Sequence, residues 1–582
     1  MKKISIKFND KEYSVPAGIT ILAASFETQK LLQEFRRVEI PTLYYLKGIN
    51  DIDESGVCVV EVDQKLVNAS TTRIQDGMEI LTNSEKVVEA RKAALSEILK
   101  VHNKDCINCF RSASCELQEL LHTYGFTDEA DLLEKDLEEI DTSSLVLVRD
   151  NNKCIRCKRC INVCAKTQAV SAICATGEGL GAHIAPASPK GLASASCVNC
   201  GQCVAVCSVG ALYEKDDTGE VKKAIEDPKK HVIAEVAPAV RASLGEAFEF
   251  PIGIDVEGKI AAVLRRLGFD KVFDTKFSAD LTIMEEAEEL LDRAENGGVL
   301  PMITSCCPGW IKYCEHFYPD LLDNLSTCKS PQQMLGATAK SYYAEKMGIA
   351  KEDIVVVSIM PCTAKKFELT REHESGAGVQ DVDISLTTRE LARMIKEAEL
   401  QLEAMPNEAF DAPLGIGTGA GVIFGATGGV MEAALRTVAA RLTGDRPAEV
   451  EFKDVRGMHG IKEALYDLNG TEVKVAVVSG LANANTLLTR IKSGEADYQF
   501  IEVMACPGGC VNGGGQPHQP AQLHVLTDVA KERGEALYKN DEKDAVRASH
   551  ENPAVKELYR TYLGEPGSEK AHELLHTAYI KR

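Results

Sequence analysis

The order of apolar and polar positions divides the chain into stretches of different period. Over residues 1–85 it alternates. Ile4, Ile6 and Phe8 are separated by polar residues, Tyr13-Ser-Val follows, and residues 57–62 form a further apolar run. A period of two predicts strands. Residues 86–102 change to helical spacing, with Val88, Leu95 and Leu99 on one face and Ala94 and Ile98 beside them. Residues 177–196, rich in Gly, Ala, Ser and Pro, predict an inserted loop. From about residue 217 to 520, short apolar strands alternate with helices. His231-Val-Ile-Ala-Glu-Val, Asp353-Ile-Val-Val-Val-Ser-Ile and Val473-Lys-Val-Ala-Val-Val-Ser predict strands, and 282–296 and 388–400 predict helices. That alternation predicts an α/β domain with parallel strands. Residues 521–582 are charged and helical in pattern, a C-terminal cover.

One uncharged stretch, residues 412–431, is long enough for a membrane helix. Its seven glycines make it a Gly-rich loop leading into the helix that starts Met431-Glu-Ala-Ala-Leu-Arg. The 582 residues suit about four domains. A hydrophobic share of 45% and a charged share of 26% are those of a globular protein. The net charge of −21 argues against nucleic acid and anionic membranes as partners. The first ten residues lack an apolar core, so no signal peptide is expected and the reading is cytoplasmic. Against that background the 20 cysteines stand out, twelve of them between Cys106 and Cys207. Clustered cysteines in such a chain bind metal.

Cys154-x2-Cys157-x2-Cys160-x3-Cys164 is followed by Cys197-x2-Cys200-x2-Cys203-x3-Cys207. Each is the run of bacterial ferredoxins, in which the fourth Cys ligates the other cluster. Cys154, Cys157, Cys160 and Cys207 are therefore assigned to one 4Fe-4S cluster, and Cys197, Cys200, Cys203 and Cys164 to a second. Zinc is the alternative, but zinc sites pair two C-x2-C units across a longer gap. The usual Pro after the fourth Cys is replaced by Ala165 and Ser208. Upstream, His102, Cys106, Cys109 and Cys115 make a complete tetrahedral set. Spacing alone leaves zinc and an Fe–S cluster equally open there.

Three more cysteine loops follow apolar stretches: Thr304-Ser-Cys306-Cys307-Pro-Gly-Trp310, Met360-Pro-Cys362-Thr-Ala-Lys365-Lys-Phe-Glu368, and Glu502-Val-Met-Ala-Cys506-Pro-Gly-Gly-Cys510-Val-Asn-Gly-Gly-Gly-Gln-Pro517. Ligands collect at the carboxyl ends of strands in α/β sheets, and glycines allow close backbone approach to a bulky group. Glu286, Glu289 and Arg293 lie at i, i+3 and i+7 on one predicted helix face. By spacing alone such a row is a solvated acidic face.

The three loops resemble, in order, the three H-cluster motifs of the FeFe hydrogenases. The ferredoxin runs and the one-His, three-Cys set resemble the multi-cluster clostridial form of that family. The resemblance covers nearly the whole chain. It implies an α+β and α/β multidomain architecture: a plant-type, β-grasp 2Fe-2S ferredoxin-like domain (1–85), a one-His three-Cys 4Fe-4S module (86–140), a two-4Fe-4S ferredoxin-like domain (141–216), an H-cluster catalytic domain (217–520) and a small-subunit-like tail (521–582). It implies that Cys307, Cys362, Cys506 and Cys510 hold a 4Fe-4S cubane. Cys510 would bridge the cubane to a two-iron subcluster with CO, cyanide and azadithiolate.

By the same resemblance Cys306 is the proton-donating thiol and Lys365 bonds a cyanide. Pro238, Gln332, Met360, Phe424 and Met504 line the pocket, and Ala239 stands where a cyanide-contacting Ser is found in the family. His102, Cys106, Cys109 and Cys115 bind a third accessory 4Fe-4S cluster. The resemblance also turns the acidic row into a proton path: Glu289, Ser326, Glu286, Cys306, with Arg293 near the mouth.

The N-terminal stretch departs from the family. Its 2Fe-2S ligands are expected at Tyr44, Ser55, Cys58 and Ser70, and only Cys58 is a thiol. No 2Fe-2S cluster is expected there. Gly253 to Lys259 fits a phosphate-loop spacing, but Ile260 stands where Ser or Thr is needed and Asp255 and Glu257 repel phosphate. The Gly-rich stretch from Gly415 lacks the full dinucleotide pattern. Neither ATP nor NAD is expected. The implied reaction is reversible reduction of protons to H2. Electrons would come from ferredoxin or a flavodoxin-like carrier, and maturation proteins would insert the two-iron subcluster. A catalytic subunit of a bifurcating complex, a sensory relative and a non-catalytic Fe–S assembly protein are the alternatives. Cys58, Cys174, Cys314 and Cys328 are left without a role.

Overall fold

The computed structural model describes residues 2–32, 40–126, 133–178, 181–444, 451–457, 460–468 and 470–582, with the side chains of 31 and 32 excluded. Five strands near the N-terminus, β1 (Lys3–Phe8), β2 (Lys11–Pro16), β3 (Val59–Val62), β4 (Lys65–Asn68) and β5 (Met78–Leu81), form one sheet in the order β2-β1-β5-β3-β4. The alternation seen in sequence puts Ile6, Phe8, Val15, Val60 and Ile80 inward, against Leu22 and Phe26 of the helix Ile21–Leu32. The helix Glu85–Leu99 begins at Ser84, whose hydroxyl accepts from Val87 N–H. Its buried face carries Val87, Arg91, Leu95, Ile98 and Leu99. Val88 is only half-buried. The expected face is the buried one at Leu95, Ile98 and Leu99; Val87 joins it in place of Val88, and Arg91 enters it to donate to the carbonyl of Val59 at 2.7 Å.

In the cysteine-dense middle, β6 (Leu147–Arg149) pairs antiparallel with β9 (Leu212–Glu214). The expected loop over 177–196 is in part a hairpin: β8 (His183–Pro186), within it, pairs antiparallel with β7 (Ile173–Thr176), just before it. Residues 179 and 180 lie outside the described residues. Arg159, fully buried, donates to the carbonyls of Leu43, Tyr44 and Tyr45 and to both oxygens of Glu116. One guanidinium thus ties the N-terminal module, the segment after His102 and the ferredoxin-like run together.

The large domain holds two four-stranded sheets. In the first, β11 (Lys271–Asp274), β10 (His231–Val236), β13 (Ile354–Met360) and β14 (Ile384–Thr387) are all parallel. In the second, β12 (Met302–Ile303), β17 (Phe500–Met504) and β16 (Thr471–Ser479) are parallel, while β15 (Ile461–Leu468) is an antiparallel edge strand. The parallel prediction holds except at that edge, where β15 and β16 are hairpin neighbours. The helix expected over 282–296 spans Lys276–Glu295, and the one over 388–400 spans Thr388–Glu397 with a capping box at Thr387. The expected Gly-rich loop is buried from Thr418 on and partly helical. Thr418 caps a short helix Gly419–Ile423, and the next helix starts at Gly429. Among the described residues no helix is long and apolar enough to cross a membrane.

The C-terminal segment is helical and docks through buried charge. Arg533, on the helix Val529–Lys543, donates to Glu246 at 2.7 Å and to the carbonyl of Val511 at 2.8 Å. Both charged side chains are 2% exposed. Removing one partner of a buried pair leaves an uncompensated charge. Arg533→Met is therefore expected to destabilise the fold by about 3–5 kcal/mol, measured by denaturant unfolding, and to loosen the loop that carries Cys510.

Candidate active site

The three cysteine loops begin at three strand ends. Cys307 follows β12 and Cys506 follows β17, parallel neighbours in one sheet, and Cys362 follows β13 of the other. They meet at a cavity lined by Cys306, Cys307, Cys362 and Cys510, with Pro238, Gln332, Met360, Lys365, Phe424 and Met504 around them. Cys506 sits just behind, in the field of Cys307, Cys362 and Cys510. Burial pushes all of these thiols above the ordinary value, Cys362 to about 12, and neighbouring sulfurs add to the shift at Cys362, Cys506 and Cys510. A buried set of four such sulfurs fits an iron–sulfur cluster, whose iron is the positive charge that makes the thiolates tenable.

The polar groups at the cavity are held in place. Lys365 Nζ donates to Glu368 at 2.9 Å and to the carbonyl of Cys306 at 3.2 Å, and the Glu368 charge offsets burial and raises the lysine pKa. Glu368 also accepts from Ser330 and from Gln332 Nε2, both at 2.8 Å. Gln332 Oε1 accepts from Ser358 at 2.7 Å. Glu368 appeared in sequence only as the last letter of a motif. Its position three residues after Lys365 in a short helix was the available signal. Ala239 lies beside Gly425, where a β-carbon would stand 3.2 Å from that of Ala239.

Behind Cys306 lies the acidic row, and it is not a solvated face. Glu286 is fully buried, and neither of its carboxyl oxygens has a hydrogen-bond partner among the described residues. Burial first, then the Glu289 charge, raises its pKa to about 8. Glu289 is bound on every side: Ser326 Oγ donates to Oε2 at 2.8 Å, Arg293 to Oε1 at 2.7 Å, and Thr327 N–H to both. Arg293 also holds the carbonyl of Leu325 at 2.8 Å. The helix Lys276–Glu295 sits with this end against the large domain, which spacing cannot reveal.

The upstream sites also assemble. Cys154, Cys157, Cys160 and Cys207 line one small cavity. Cys164, Cys197, Cys200 and Cys203 form a second buried group within one another's fields. His102 is buried, and its Nδ1 donates to the carbonyl of Lys153 at 2.8 Å. That leaves Nε2 as the bare nitrogen. Burial lowers its pKa to about 4, so the ring is neutral and able to ligate. Gly210 makes room for Cys109, since a β-carbon there would meet the Cys109 sulfur at 2.4 Å.

In the N-terminal module the donor set does not fit a 2Fe-2S cluster. The Asp53 carboxylate, fully buried, accepts the N–H groups of Leu43, Tyr44 and Tyr45 at 2.7, 3.0 and 3.2 Å. Ser55 donates to Asp53, Ser70 to Asn68 at 2.7 Å, and the Tyr44 hydroxyl points away to the carbonyl of Ile155 at 2.6 Å.

This combination of parallel-strand ends, four buried thiols and a protonatable row defines an iron–sulfur oxidoreductase. Residues 230–514 match the iron only hydrogenase large subunit, C-terminal domain, and residues 527–582 the iron hydrogenase small subunit. Residues 1–85 match a 2Fe-2S iron-sulfur cluster binding domain, and 91–130 the NADH-ubiquinone oxidoreductase-G iron-sulfur binding region. NADP-reducing hydrogenase subunit HndD of Solidesulfovibrio fructosivorans is 47% identical over the full length of both chains. Iron hydrogenase 1 of Clostridium pasteurianum is 45% identical over 94% of this chain and 95% of its own. The structure of apo [FeFe]-hydrogenase HydA1 from Chlamydomonas reinhardtii superposes with a TM-score of 0.56 at 44% identity, covering 63% of this chain and 99% of that one. The chain belongs to the FeFe, or iron-only, hydrogenases. It is an oxidoreductase acting on hydrogen at an H-cluster.

The pKa of Glu286 has a consequence for stability. Its folded value, about 8, lies above the ordinary 4.5. A raised value favours the folded state below pH 4.5, and that contribution is lost as pH rises towards 8. Glu286→Gln removes the titration. Its apparent melting temperature should gain on the parent's between pH 4.5 and 8 and hold a constant offset above.

Proposed function

We propose that Cys307, Cys362, Cys506 and Cys510 hold the cubane of the H-cluster and that the chain's residues deliver electrons from one side and protons from the other. The H-cluster, when bound, supplies the iron site at which protons are reduced or hydrogen is split. The observation that carries this reading is the convergence of Cys307, Cys362 and Cys510 on a cavity that also holds the Cys306 thiol, with Cys506 in their field just behind and Glu286 behind Cys306. Lys365, fixed by Glu368, supplies positive charge and hydrogen-bond donors to the cavity. Gln332, Pro238, Met360, Phe424 and Met504 shape it and exclude water.

On the electron side, contacts run from site to site. Cys115 Sγ is 3.8 Å from the carbonyl of Ser208, and Ser208 Oγ is 3.9 Å from Cys157 Sγ. Cys203 lies in the field of Cys160 and Cys207, and Cys506 in that of Cys200. Gln202 and Thr363 tie the last ferredoxin-like loop to the catalytic loops at 2.9 and 2.7 Å. The route is the His102 cluster, the two ferredoxin-like clusters, then the H-cluster cubane, within domains at 1–85, 86–140, 141–216, 217–520 and 521–582. We read the protein as cytoplasmic. A ferredoxin or flavodoxin-like carrier suits the entry point. Full-length similarity to an NADP-reducing hydrogenase subunit favours a second reading, the catalytic subunit of a larger complex.

On the proton side, the order is Glu289, Ser326, Glu286, Cys306. Glu286 is a proton donor below about pH 8 and a carboxylate above it. Hydrogen evolution should therefore fall as pH rises through about 8. Glu289→Gln removes a charge that raises the Glu286 pKa and should move that midpoint down. Glu286→Gln should lower turnover by about 10²–10⁴-fold with infrared bands of the H-cluster unchanged. Near-parental turnover in a cluster-replete Glu286→Gln enzyme would rule out the path.

The N-terminal module is read as a ferredoxin fold that carries no 2Fe-2S cluster. Asp53 holds the loop N–H groups in its place. Mössbauer and EPR spectra of the reconstituted full-length chain should contain no 2Fe-2S component, and a stoichiometric one would refute the reading.

A further inference from the structure

Two groups at the outer end of the proton row have no part in the path. Cys328 is fully buried, and His576 comes from the C-terminal segment. With Glu289 they offer one ligand atom each, and the three atoms lie within 4.8 Å of one another. Cys328 Sγ is 3.7 Å from Glu289 Oε2. On a tetrahedral zinc ion with ordinary bond lengths, a sulfur and an oxygen stand about 3.5 Å apart.

The surroundings favour ligation. Glu285, fully buried, accepts from the Tyr559 hydroxyl, from Gly567 N–H at 2.9 Å and from His576 Nε2 at 3.1 Å. A carboxylate that takes the Nε2 proton leaves Nδ1 with a free lone pair, which now accepts from Thr327 Oγ1 at 2.7 Å. A carboxylate behind an imidazole is the arrangement that orients metal-bound histidines. Arg293 occupies Glu289 Oε1, so the oxygen facing Cys328 is Oε2. There is also a way in: Thr327 and His576 line an open surface cleft with His373, Gly376, His572 and Thr577.

We propose that Glu289, Cys328 and His576 form a site for a divalent, borderline-soft cation of the zinc class, and that the ion stops proton transfer by taking Glu289 Oε2 away from the Ser326 hydroxyl. The mixed carboxylate, thiolate and imidazole set selects zinc or cadmium over magnesium or calcium. Binding forms a metal–sulfur bond and breaks the Cys328 S–H bond. The proton leaves to solvent and no electron moves. The Nδ1 lone pair changes partner from Thr327 to the ion. The blocking half of the proposal rests on the proton path given above, and the binding half does not.

The test is Zn2+ titration of the reconstituted holoenzyme, read by hydrogen evolution, by zinc content after desalting and by X-ray absorption at the zinc edge. One tightly held zinc with a single sulfur and otherwise nitrogen or oxygen neighbours is expected. Turnover should fall at least 10-fold and return with EDTA. Cys328→Ala and His576→Gln, each normalised to its own metal-free rate, should raise the half-inhibitory concentration by at least 10-fold. Glu285→Gln should raise it less. Zinc without sulfur or with several sulfurs, inhibition unchanged in both variants, or iron loss accompanying inhibition would overturn the site. Zinc bound at the triad with undiminished turnover would overturn the block. The metal-free rate of Glu289→Gln then tells whether the proton path itself is at fault.

Discussion

A thiolate withdrawn from water must meet positive charge, and the packing of this chain follows from that requirement. Burial pushes the thiols of Cys307, Cys362, Cys506 and Cys510 up, so that they keep their protons in a protein without metal. Iron supplies the missing charge. Folding and cluster insertion are therefore linked events, because the ligand loops are also where the modules touch. Gly514 shows how closely: a β-carbon there would lie 2.3 Å from the carbonyl of Cys200. The ferredoxin-like loop and the catalytic loop are in backbone contact next to their sulfurs.

The same burial works in the opposite sense on the proton side. A carboxyl group with no cation beside it answers burial by keeping its proton, as Glu286 does. One turn along the helix, Glu289 has Arg293 and three other hydrogen-bond donors. The two glutamates share one helix face yet differ in surroundings: one faces Arg293 and the other the interior.

Much of this was legible in the sequence, and the parts that were not share a cause. Cysteine spacing encodes ligation directly, since short intervals fix which sulfurs can reach one cluster. Strand positions in the large domain were legible because fully buried parallel strands are continuous apolar runs. The Glu286 row was legible as a helix face but not as a buried one, because burial depends on what packs against the helix. Cys328 and His576 are 248 positions apart in the chain, and no local pattern joins them. The burial of Arg91 on the helix Glu85–Leu99 has the same origin: it looks like a surface residue until the carbonyl of Val59 is placed over it. The seven glycines of residues 412–431 predict a loop, yet close packing against neighbouring backbone is what Gly421, Gly428 and Gly429 permit.

Asp53 has a consequence for how the protein is made. The N–H groups of residues 43–45 are satisfied by a carboxylate ten residues further on, so on the cluster-free reading proposed above the loop closes within the polypeptide. This segment leaves the ribosome ahead of every cluster motif. It can reach its final shape while the cysteines behind it still wait for iron, and Arg159 then finds the carbonyls of Leu43, Tyr44 and Tyr45 already in position.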